Sequence, residues 1–418
     1  MNFFLQNVRL LHPESVHHLQ TIDIIIQDGR IQAMGPDLQA PPSTDFIRIS
    51  QPDLHVSAGW FDLRATSHEP GHESQEDLDS LARAAKAGGF TDVALLPNTH
   101  PVTQTKSQLL FFTHAQREVR FHPMAAVTLN TKGTDFTDMM ELAQAGALAF
   151  SDGSQPIWNA DILLKTLQYL APIGKLLINR PDEVLLRQFG QMHEGMTSTR
   201  LGMKGIPPVA EELMIQRDLA LLRYANIASA VPVLHFSTIS TAGAVALIRE
   251  AKKEGLPVSC DIASYQLSFT DEDLVDFDTH LKVMPPFRGR EHREALIAGL
   301  LDGTIDTVVS NHQPWDEESK KLEFDLAEFG IIHSQTAFAA LHTEGVIPLE
   351  QHIQFWTHQS RKLVQLPVPT ISPGQPACLT LFLPNETWQL TADMIHSKSK
   401  NSPFLGKTLR GKVVGTIG

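Results

Sequence analysis

The sequence predicts an α/β protein built as a (β/α)8 barrel, with a small β domain formed by the two ends of the chain. Short apolar runs end in polar residues, and helical stretches of about ten to twenty residues separate them, which is the pattern of parallel α/β structure. Strand-like segments with turn residues occupy both ends of the chain. So many units within about 300 residues fit a closed barrel better than an open sheet.

The predicted barrel strands are apolar runs at residues 93–96, 147–150, 175–178, 231–234 and 307–309. Polar residues follow these runs, among them Asn98, Asp152, Asn179, His235 and Asn311. Barrel strands deliver the side chains at their C-terminal ends to a common site, so a site is expected at that end of the barrel. Neither common glycine-rich phosphate loop is found in the sequence.

The predicted small β domain combines residues 1–56 with residues 366–418, and the barrel takes residues 57–365. Near the N-terminus, an isoleucine run at residues 24–26 meets Asp28 and Gly29, which predict a hairpin turn before the strand at residues 30–34. Near the C-terminus, residues 377–382 and 411–414 have the composition of strands.

Composition excludes several classes of function. Of 418 residues, 42% are hydrophobic and 19% are charged, as in ordinary globular proteins. No apolar run reaches the roughly 18 residues of a membrane helix. The net charge of −13 argues against a nucleic-acid partner. Cys260 and Cys378 are too few for a disulfide framework, and the first residues lack a signal-peptide pattern, so we expect a cytoplasmic protein.

The most informative segment covers residues 58–71. A short apolar run ends in Asp62, and Arg64, Thr66 and His68 then alternate with other residues before a Pro-Gly break. Side chains two residues apart on a strand point to the same face, so this segment is predicted to bring several polar groups to the barrel's C-terminal end. His68 and His72 also match the zinc-protease pattern H-E-x-x-H, but Pro-Gly between them predicts a loop instead of the helix that this motif needs.

The segment at residues 58–71 resembles the Asp-x-His-x-His and Arg-Glu-Pro-Gly motif of dihydroorotases, which belong to the amidohydrolase superfamily. Further segments resemble the same family in the same order, at residues 96–102, 235–243, 282–288, 302–306, 329–332 and 397–404. The resemblance covers nearly the whole chain. It implies an amidohydrolase-type (β/α)8 barrel, a small β-sandwich domain built from both termini, and a role in pyrimidine biosynthesis.

In active relatives, two metal ions activate a water molecule and an aspartate on the last strand carries protons. The resemblance places Arg64 and Thr66 at the two metal histidines of the first strand, and Asn179 at a third. Asn311 stands at the catalytic aspartate. An arginine repels a divalent cation, and an asparagine does not accept a proton at neutral pH. We therefore expect no intact catalytic set and no bound metal.

Some family positions are retained. Asp152 and His235 remain as candidate remnants of the metal site, although Asp152 is also a candidate counter-ion for Arg64, as is Asp62. His235 is also consistent with a structural, hydrogen-bonded histidine. Asn98 matches a substrate-contacting asparagine and is equally suited to holding a turn. The candidate substrate-binding residues are thus Asn98, His68 and Arg64.

The family substrate contacts are altered at three positions, because His68 replaces an arginine, Met284 an asparagine and Trp315 a histidine. We predict that Trp315 fills the space left by metal and histidine, while stacking on a planar ligand is the alternative.

The resemblance predicts a dihydroorotase homologue without hydrolase activity and with a structural or regulatory role. Degenerate members of this kind resemble inactive subunits that assemble with aspartate transcarbamoylase, so this enzyme is the predicted partner, alongside homo-oligomerisation. One alternative is an active dihydroorotase, or another cyclic-amide hydrolase, with zinc at an altered site of Asp152 and His235. A second alternative is a metal-free binding module in which Arg64 and Asn98 hold a small carboxylate or amide.

Overall fold

The structure is a computed structural model that describes residues 2–39, 45–113 and 117–418. Its strands are β1 (Asn2–Leu11), β2 (Thr21–Gln27), β3 (Arg30–Gly35), β4 (Phe46–Ile49), β5 (His55–Ala58), β6 (Trp60–Ala65), β7 (Phe90–Leu95), β8 (Arg120–Pro123), β9 (Leu177–Asn179), β10 (Met192–His193), β11 (Gly205–Ile206), β12 (Leu234–Phe236), β13 (Val258–Ala263), β14 (Thr307–Val309), β15 (Leu379–Gln389) and β16 (Thr408–Ile417).

Its α-helices are α1 (Leu78–Ala87), α2 (Lys106–Thr113), α3 (Met139–Gln144), α4 (Ala160–Leu170), α5 (Met196–Leu201), α6 (Val209–Ala225), α7 (Ala242–Lys253), α8 (Arg290–Leu301), α9 (Glu317–Lys320), α10 (Ala337–Glu344), α11 (Leu349–Gln354) and α12 (Ser360–Leu363). A π-helical turn at Phe355–Gln359 joins the last two of these helices. Within the described ranges, none of the helices is long and apolar enough to span a bilayer.

The barrel closes through parallel pairing all the way round. Strands β6, β7 and β8 form one arc, and β9, β12, β13 and β14 form the other. Between these arcs, the segment at Phe150 serves as the fourth barrel strand, through isolated parallel bridges to Ala125 and to Leu177. A further bridge, from Ala65 to His312, closes the ring. The (β/α)8 barrel predicted from the sequence is therefore confirmed.

Most barrel strands lie where apolar runs predict them, but β12 is displaced towards the C-terminus. The apolar run covers residues 231–234, whereas the strand begins at Leu234. Pro232 has no backbone N–H to donate to a neighbouring strand, which explains the later start. His235 consequently lies inside the strand instead of just after it.

The small β domain predicted from both chain ends is also confirmed. Its sheet has the order β16-β15-β5-β1-β2-β3, and β4 pairs with β1. The predicted hairpin joins β2 to β3, and both turn residues have a positive φ, 50° at Asp28 and 73° at Gly29. Strand β5 crosses the predicted domain boundary at residue 57 and continues through Gly59 into the first barrel strand. A Cβ at Gly59 would lie only 2.3 Å from the Thr91 hydroxyl, so no larger residue fits there.

An aromatic cluster joins the terminal sheet to the barrel. Trp60 at the start of β6 lies 4.8 Å from Phe338 of α10 and 5.5 Å from Phe382 of β15, measured between ring centroids. All three side chains are buried. Such aromatic burial makes the two parts one continuous core.

The N-terminal end of the barrel carries a buried ion network around Asp92 of β7. Its carboxylate accepts hydrogen bonds from Arg120 at 2.8 Å and from Arg361 at 2.6 Å, and His122 Nε2 lies 2.8 Å away. Burial opposes ionisation of Asp92, but these partners outweigh it and hold the pKa of Asp92 well below its usual range. Arg361 is itself only 2% exposed.

Candidate functional site

Arg64 occupies the middle of the barrel's C-terminal end. Arg64 lies near the C-terminal end of β6, and its Nε donates to Asn311 Oδ1 at 2.8 Å. Its terminal nitrogens donate to Ser237 Oγ and to the Gly153 carbonyl, both at 3.3 Å. These acceptors follow β14, β12 and the fourth barrel strand, which is the segment at Phe150. Together with β6, which carries Arg64, one guanidinium therefore connects the ends of four barrel strands. Arg64 is only 4% exposed.

The electrostatic surroundings of Arg64 differ from the sequence-based expectation. Burial lowers the pKa of Arg64 to about 10, and the largest opposing influence is the negative charge of Asp261. The predicted ion pair with Asp62 or Asp152 is wrong: within the described chain, no salt bridge involves Arg64. Asp62 and Asp152 are engaged by hydrogen-bond donors of their own, which direct their carboxylates elsewhere.

Asp62 ties the first barrel strand to the last. Its carboxylate accepts hydrogen bonds from the backbone N–H of Ser310 at 3.0 Å and from the Ser310 hydroxyl. Burial raises the pKa of Asp62 to about 6, against the effect of these donors.

Asp152 is turned towards the loop that follows β8. One carboxylate oxygen accepts from the backbone N–H groups of Val127 and Thr128, and the other accepts from the Thr128 hydroxyl at 2.6 Å. Burial raises the pKa of Asp152 to about 6, although all three donors favour its ionised form. Each carboxylate oxygen thus has a partner within the protein.

Asn98 contacts the loop that contains Asp152. Its Nδ2 donates to the Asp152 carbonyl at 3.0 Å, and its Oδ1 accepts from the backbone N–H of Ser154 at 2.8 Å. Asn98 therefore links the loop after β7 to the loop after the fourth barrel strand. Both the oxygen and the nitrogen of its side-chain amide form hydrogen bonds in this link.

His235 forms a buried pair with Asp261. His235 Nε2 lies 2.8 Å from Asp261 Oδ2, and His235 Nδ1 lies 2.8 Å from Ser259 Oγ. Asp261 also accepts from the Ser237 hydroxyl, which connects this pair to Arg64. Sequence reasoning missed Asp261, although a carboxylate in the middle of the apolar segment Val258–Ala263 was a usable signal.

Asn179 and Asn311 are both fully engaged. Asn179 Oδ1 accepts from the Ile157 backbone N–H, and its Nδ2 donates to Asp218 at 2.7 Å. Burial raises the pKa of Asp218 to about 6. Asn311 Nδ2 donates to the Tyr265 hydroxyl at 2.7 Å, and burial raises the pKa of Tyr265 to about 12. Nothing in the sequence pattern around Asp218 or Tyr265 had marked these two residues.

His68 lies in a loop, as predicted, and not on a helix. Its Nε2 lies 2.9 Å from the Pro314 carbonyl, and its ring centroid lies 5.5 Å from that of Trp315. Burial lowers the pKa of His68. The Trp315 indole N–H donates to the Phe329 carbonyl at 2.9 Å, which fixes the ring over this side of the barrel.

The structure thus brings together most of the predicted site residues. Arg64 contacts Asn311 directly and reaches the His235–Asp261 pair through Ser237, while Asn98 binds the Asp152 loop. His68 belongs to a separate contact with Trp315. Across residues 2–39, 45–113 and 117–418, no group of three or more histidine, cysteine, aspartate or glutamate side chains has an arrangement that could hold a metal ion.

Comparisons with known proteins identify the family. A family model described as dihydro-orotase-like matches residues 55–242. The dihydroorotase of Geotalea daltonii is 35% identical, over 100% of this chain and 98% of the relative. The dihydroorotase of Pelotomaculum thermopropionicum is 36% identical, over 94% of this chain and 92% of the relative. The chain belongs to the dihydroorotase family.

Solved structures have the same fold as this chain. An L-hydantoinase (dihydropyrimidinase) from Arthrobacter aurescens superimposes with a TM-score of 0.84 at 22% identity, covering 99% of this chain and 94% of the other. A dihydropyrimidinase from Brevibacillus agri gives a TM-score of 0.82 at 20% identity, covering 100% and 94%. At this identity the likeness concerns the fold: a barrel with a sheet domain.

Proposed function

We propose that this member of the dihydroorotase family is a pseudoenzyme, a cytoplasmic protein with a structural or regulatory role in pyrimidine biosynthesis and without hydrolase activity. The observation that carries the proposal is the position of Arg64. Its guanidinium fills the centre of the barrel's C-terminal end, where barrel enzymes place their reacting groups. Its acceptors are the side chains and backbone of the neighbouring strand ends.

The residues present do not fit a divalent metal ion. Such an ion needs several convergent nitrogen or oxygen donors, and a fixed positive charge beside them works against binding. Both His235 nitrogens and both Asp152 carboxylate oxygens already have partners in the protein. This arrangement supports the absence of a resident metal, and no hydrolytic step through a metal is derived.

The groups available for proton transfer also support the proposal. Asn311, at the family's catalytic aspartate position, is an amide and does not take up a proton at neutral pH. Its contact, the Tyr265 hydroxyl, has a pKa raised to about 12 by burial, so this phenol stays protonated as well. Neither Asn311 nor Tyr265 is therefore suited to act as a general base at this position.

Metal content and turnover, measured together, test the loss of hydrolysis. Protein purified without chelator should contain less than about a tenth of an equivalent of zinc or other divalent metal. It should not interconvert dihydroorotate and carbamoyl-aspartate, with and without added zinc. The dihydroorotase of Geotalea daltonii, assayed in the same buffer, is the positive control. Stoichiometric metal with turnover would establish the alternative, an active hydrolase with an altered site.

Aspartate transcarbamoylase is the proposed partner, on the strength of the resemblance to inactive subunits that assemble with it. Mixing this chain with the aspartate transcarbamoylase of the same organism should give a larger particle by light scattering, and the two should co-purify. A homo-oligomer of this chain that stays unchanged on mixing would contradict the partnership while leaving the assay of hydrolysis unaffected.

A further inference from the structure

A cleft of about 660 Å³ lies beside the barrel's C-terminal end. Its walls come from the loop that follows β14, the turn around residues 277–280, and the segment 398–405 that precedes β16. None of Arg64, Asn98 and His235 lies in its wall, and Trp315, which packs on His68, is the residue that the cleft shares with the site described above. The volume lies within the range that small-molecule sites occupy, about 300 to 1,000 Å³.

One side of the cleft is a fixed aromatic ring. The indole of Trp315 is held by its bond to the Phe329 carbonyl, and the Trp315 backbone N–H donates to Asn401 Oδ1 at 3.3 Å. The wall also contains Phe277 and Leu405, which are 43% and 45% exposed although both are large apolar residues. A rigid ring together with accessible apolar side chains suits a flat ring system as ligand.

Most charged groups in the wall have partners within the protein, and one exposed lysine has no carboxylate partner in the described part of the chain. Two ion pairs lie at the cleft, Lys321 with Glu317 and Lys398 with Asp77, and His280 Nδ1 lies 2.9 Å from Asp278 Oδ1. Asp316 is occupied as the N-cap of α9, where it accepts from Ser319. Lys320 is buried, and burial lowers its pKa to about 7, so Lys400 is the exposed lysine of the wall that has no carboxylate partner among the described residues.

Lys320 and Lys400 have carbonyl oxygens as their acceptors. Lys400 Nζ donates to the carbonyls of Ile395 and Ser397 at 2.8 and 3.1 Å, and Lys320 Nζ donates to that of Glu328 at 2.7 Å. Among the residues that the structure describes, no carboxylate pairs with either ammonium within 4 Å. Lys400 is exposed, whereas Lys320 is buried.

We propose that the cleft binds a small molecule that combines a flat heteroaromatic ring with an anionic group, either a carboxylate or a phosphate. The ring lies against Trp315 and the anion lies near Lys400. Binding is reversible and involves no covalent step. It does not depend on whether the barrel centre hydrolyses anything, so it stands or falls separately from the proposed loss of activity.

Fluorescence titration of the full chain tests this site, with orotate as the ring carboxylate and uridine 5′-monophosphate as the ring phosphate. At least one probe should quench tryptophan emission saturably at millimolar concentration or below and raise the melting temperature. Uridine, which lacks the anion, and inorganic phosphate, which lacks the ring, should each bind more weakly. If orotate is the probe whose binding saturates, the ligand is a ring carboxylate; if it is uridine 5′-monophosphate, the ligand is a ring phosphate.

Two variants locate the binding. Lys400→Gln should weaken binding of the effective probe about tenfold, because a charge-assisted hydrogen bond is lost. Trp315→Phe should keep most of the binding measured by melting temperature while abolishing the quenching. Lys253→Gln, at an exposed lysine of α7, is the matched control and should bind like the unmodified chain. Absence of binding for both probes, or equal binding by the Lys400→Gln and Lys253→Gln variants, would overturn the proposal.

Discussion

The two ends of the barrel bury charged groups in opposite ways. At the N-terminal end, Asp92 faces two arginines, and its pKa is held well below the usual range. At the C-terminal end, Asp62 and Asp152 face neutral donors, and burial raises their pKa values to about 6. Arg64 likewise faces amide, hydroxyl and carbonyl acceptors. Depth of burial is similar at both ends, so the charge of the partner decides which protonation state the fold favours.

The largest expected effect comes from breaking the N-terminal network. Asp92→Asn leaves the buried Arg361 without its counter-ion, and we expect it to lower the free energy of unfolding by about 3 to 5 kcal/mol. Urea denaturation at pH 7 measures the change. Asp302→Asn, which removes a half-exposed pair with Arg249, is the control and should cost no more than about 1 kcal/mol. Equal losses in the two variants would show that burial adds nothing at Asp92.

The pH dependence of Asp152→Asn tests the C-terminal end. The pKa of Asp152 is raised from 3.8 to about 6, so between these values the folded protein keeps a proton that the unfolded chain has lost. The stability that this proton contributes is complete below pH 3.8 and is lost as the pH rises through 6. Relative to the unmodified protein, the free energy of unfolding of Asp152→Asn should therefore increase by up to about 3 kcal/mol between pH 4 and pH 6.5.

Asp92→Asn provides the matching comparison for this pH series. Because the pKa of Asp92 is lowered, its contribution is present above about pH 4 and fades in acid. Relative to the unmodified protein, the free energy of unfolding of Asp92→Asn should thus fall as the pH rises, whereas that of Asp152→Asn should increase. Parallel curves for the two variants would contradict the difference between the two ends.

Removing the guanidinium should have a smaller effect. Arg64→Met leaves the Asn311 side-chain oxygen, the Ser237 hydroxyl and the Gly153 carbonyl without this buried donor, at an expected cost of about 2 kcal/mol in the free energy of unfolding. Arg64→Lys should recover only part of this, since an ammonium does not reproduce the planar fork that reaches three acceptors. Stability of Arg64→Met equal to that of the unmodified protein would show that Arg64 only fills space.

The smallest expected effect is that of chelation. Without a resident metal, no binding energy is coupled to folding, so excess EDTA should shift the melting temperature by less than about 1 °C. Differential scanning calorimetry with and without EDTA measures this, and the dihydroorotase of Geotalea daltonii run in parallel is the reference. A fall of several degrees in this chain would mean that a metal does contribute.

Much of the fold followed from local pattern. The apolar runs at residues 93–96 and 307–309 and the Asp28–Gly29 turn depend on near neighbours in sequence, and the structure contains strands and a hairpin there. Strand β12 deviated because Pro232, inside the run, outweighed its apolar character. Local rules therefore served well except where one residue changed the available hydrogen bonds.

The contacts of the site were harder to foresee, because they join residues far apart in sequence. The position of Arg64 was predicted, but its partners were not: the expected carboxylates are engaged elsewhere, and Asn311 and Ser237 are bound instead. Asp218 became important only because α6 brings it to Asn179. The roles of Asn98 and His68 in binding a substrate stay predictions.

The arrangement of the terminal sheet has a consequence for biosynthesis. Strand β5 lies between β1, which is made before it, and β15, which the ribosome makes only after the whole barrel. During translation, the edge of β5 that later pairs with β15 is therefore unpaired. Unpaired strand edges promote association between chains. A chaperone that shields this edge on the nascent chain would protect the protein at the stage when it is most exposed to aggregation.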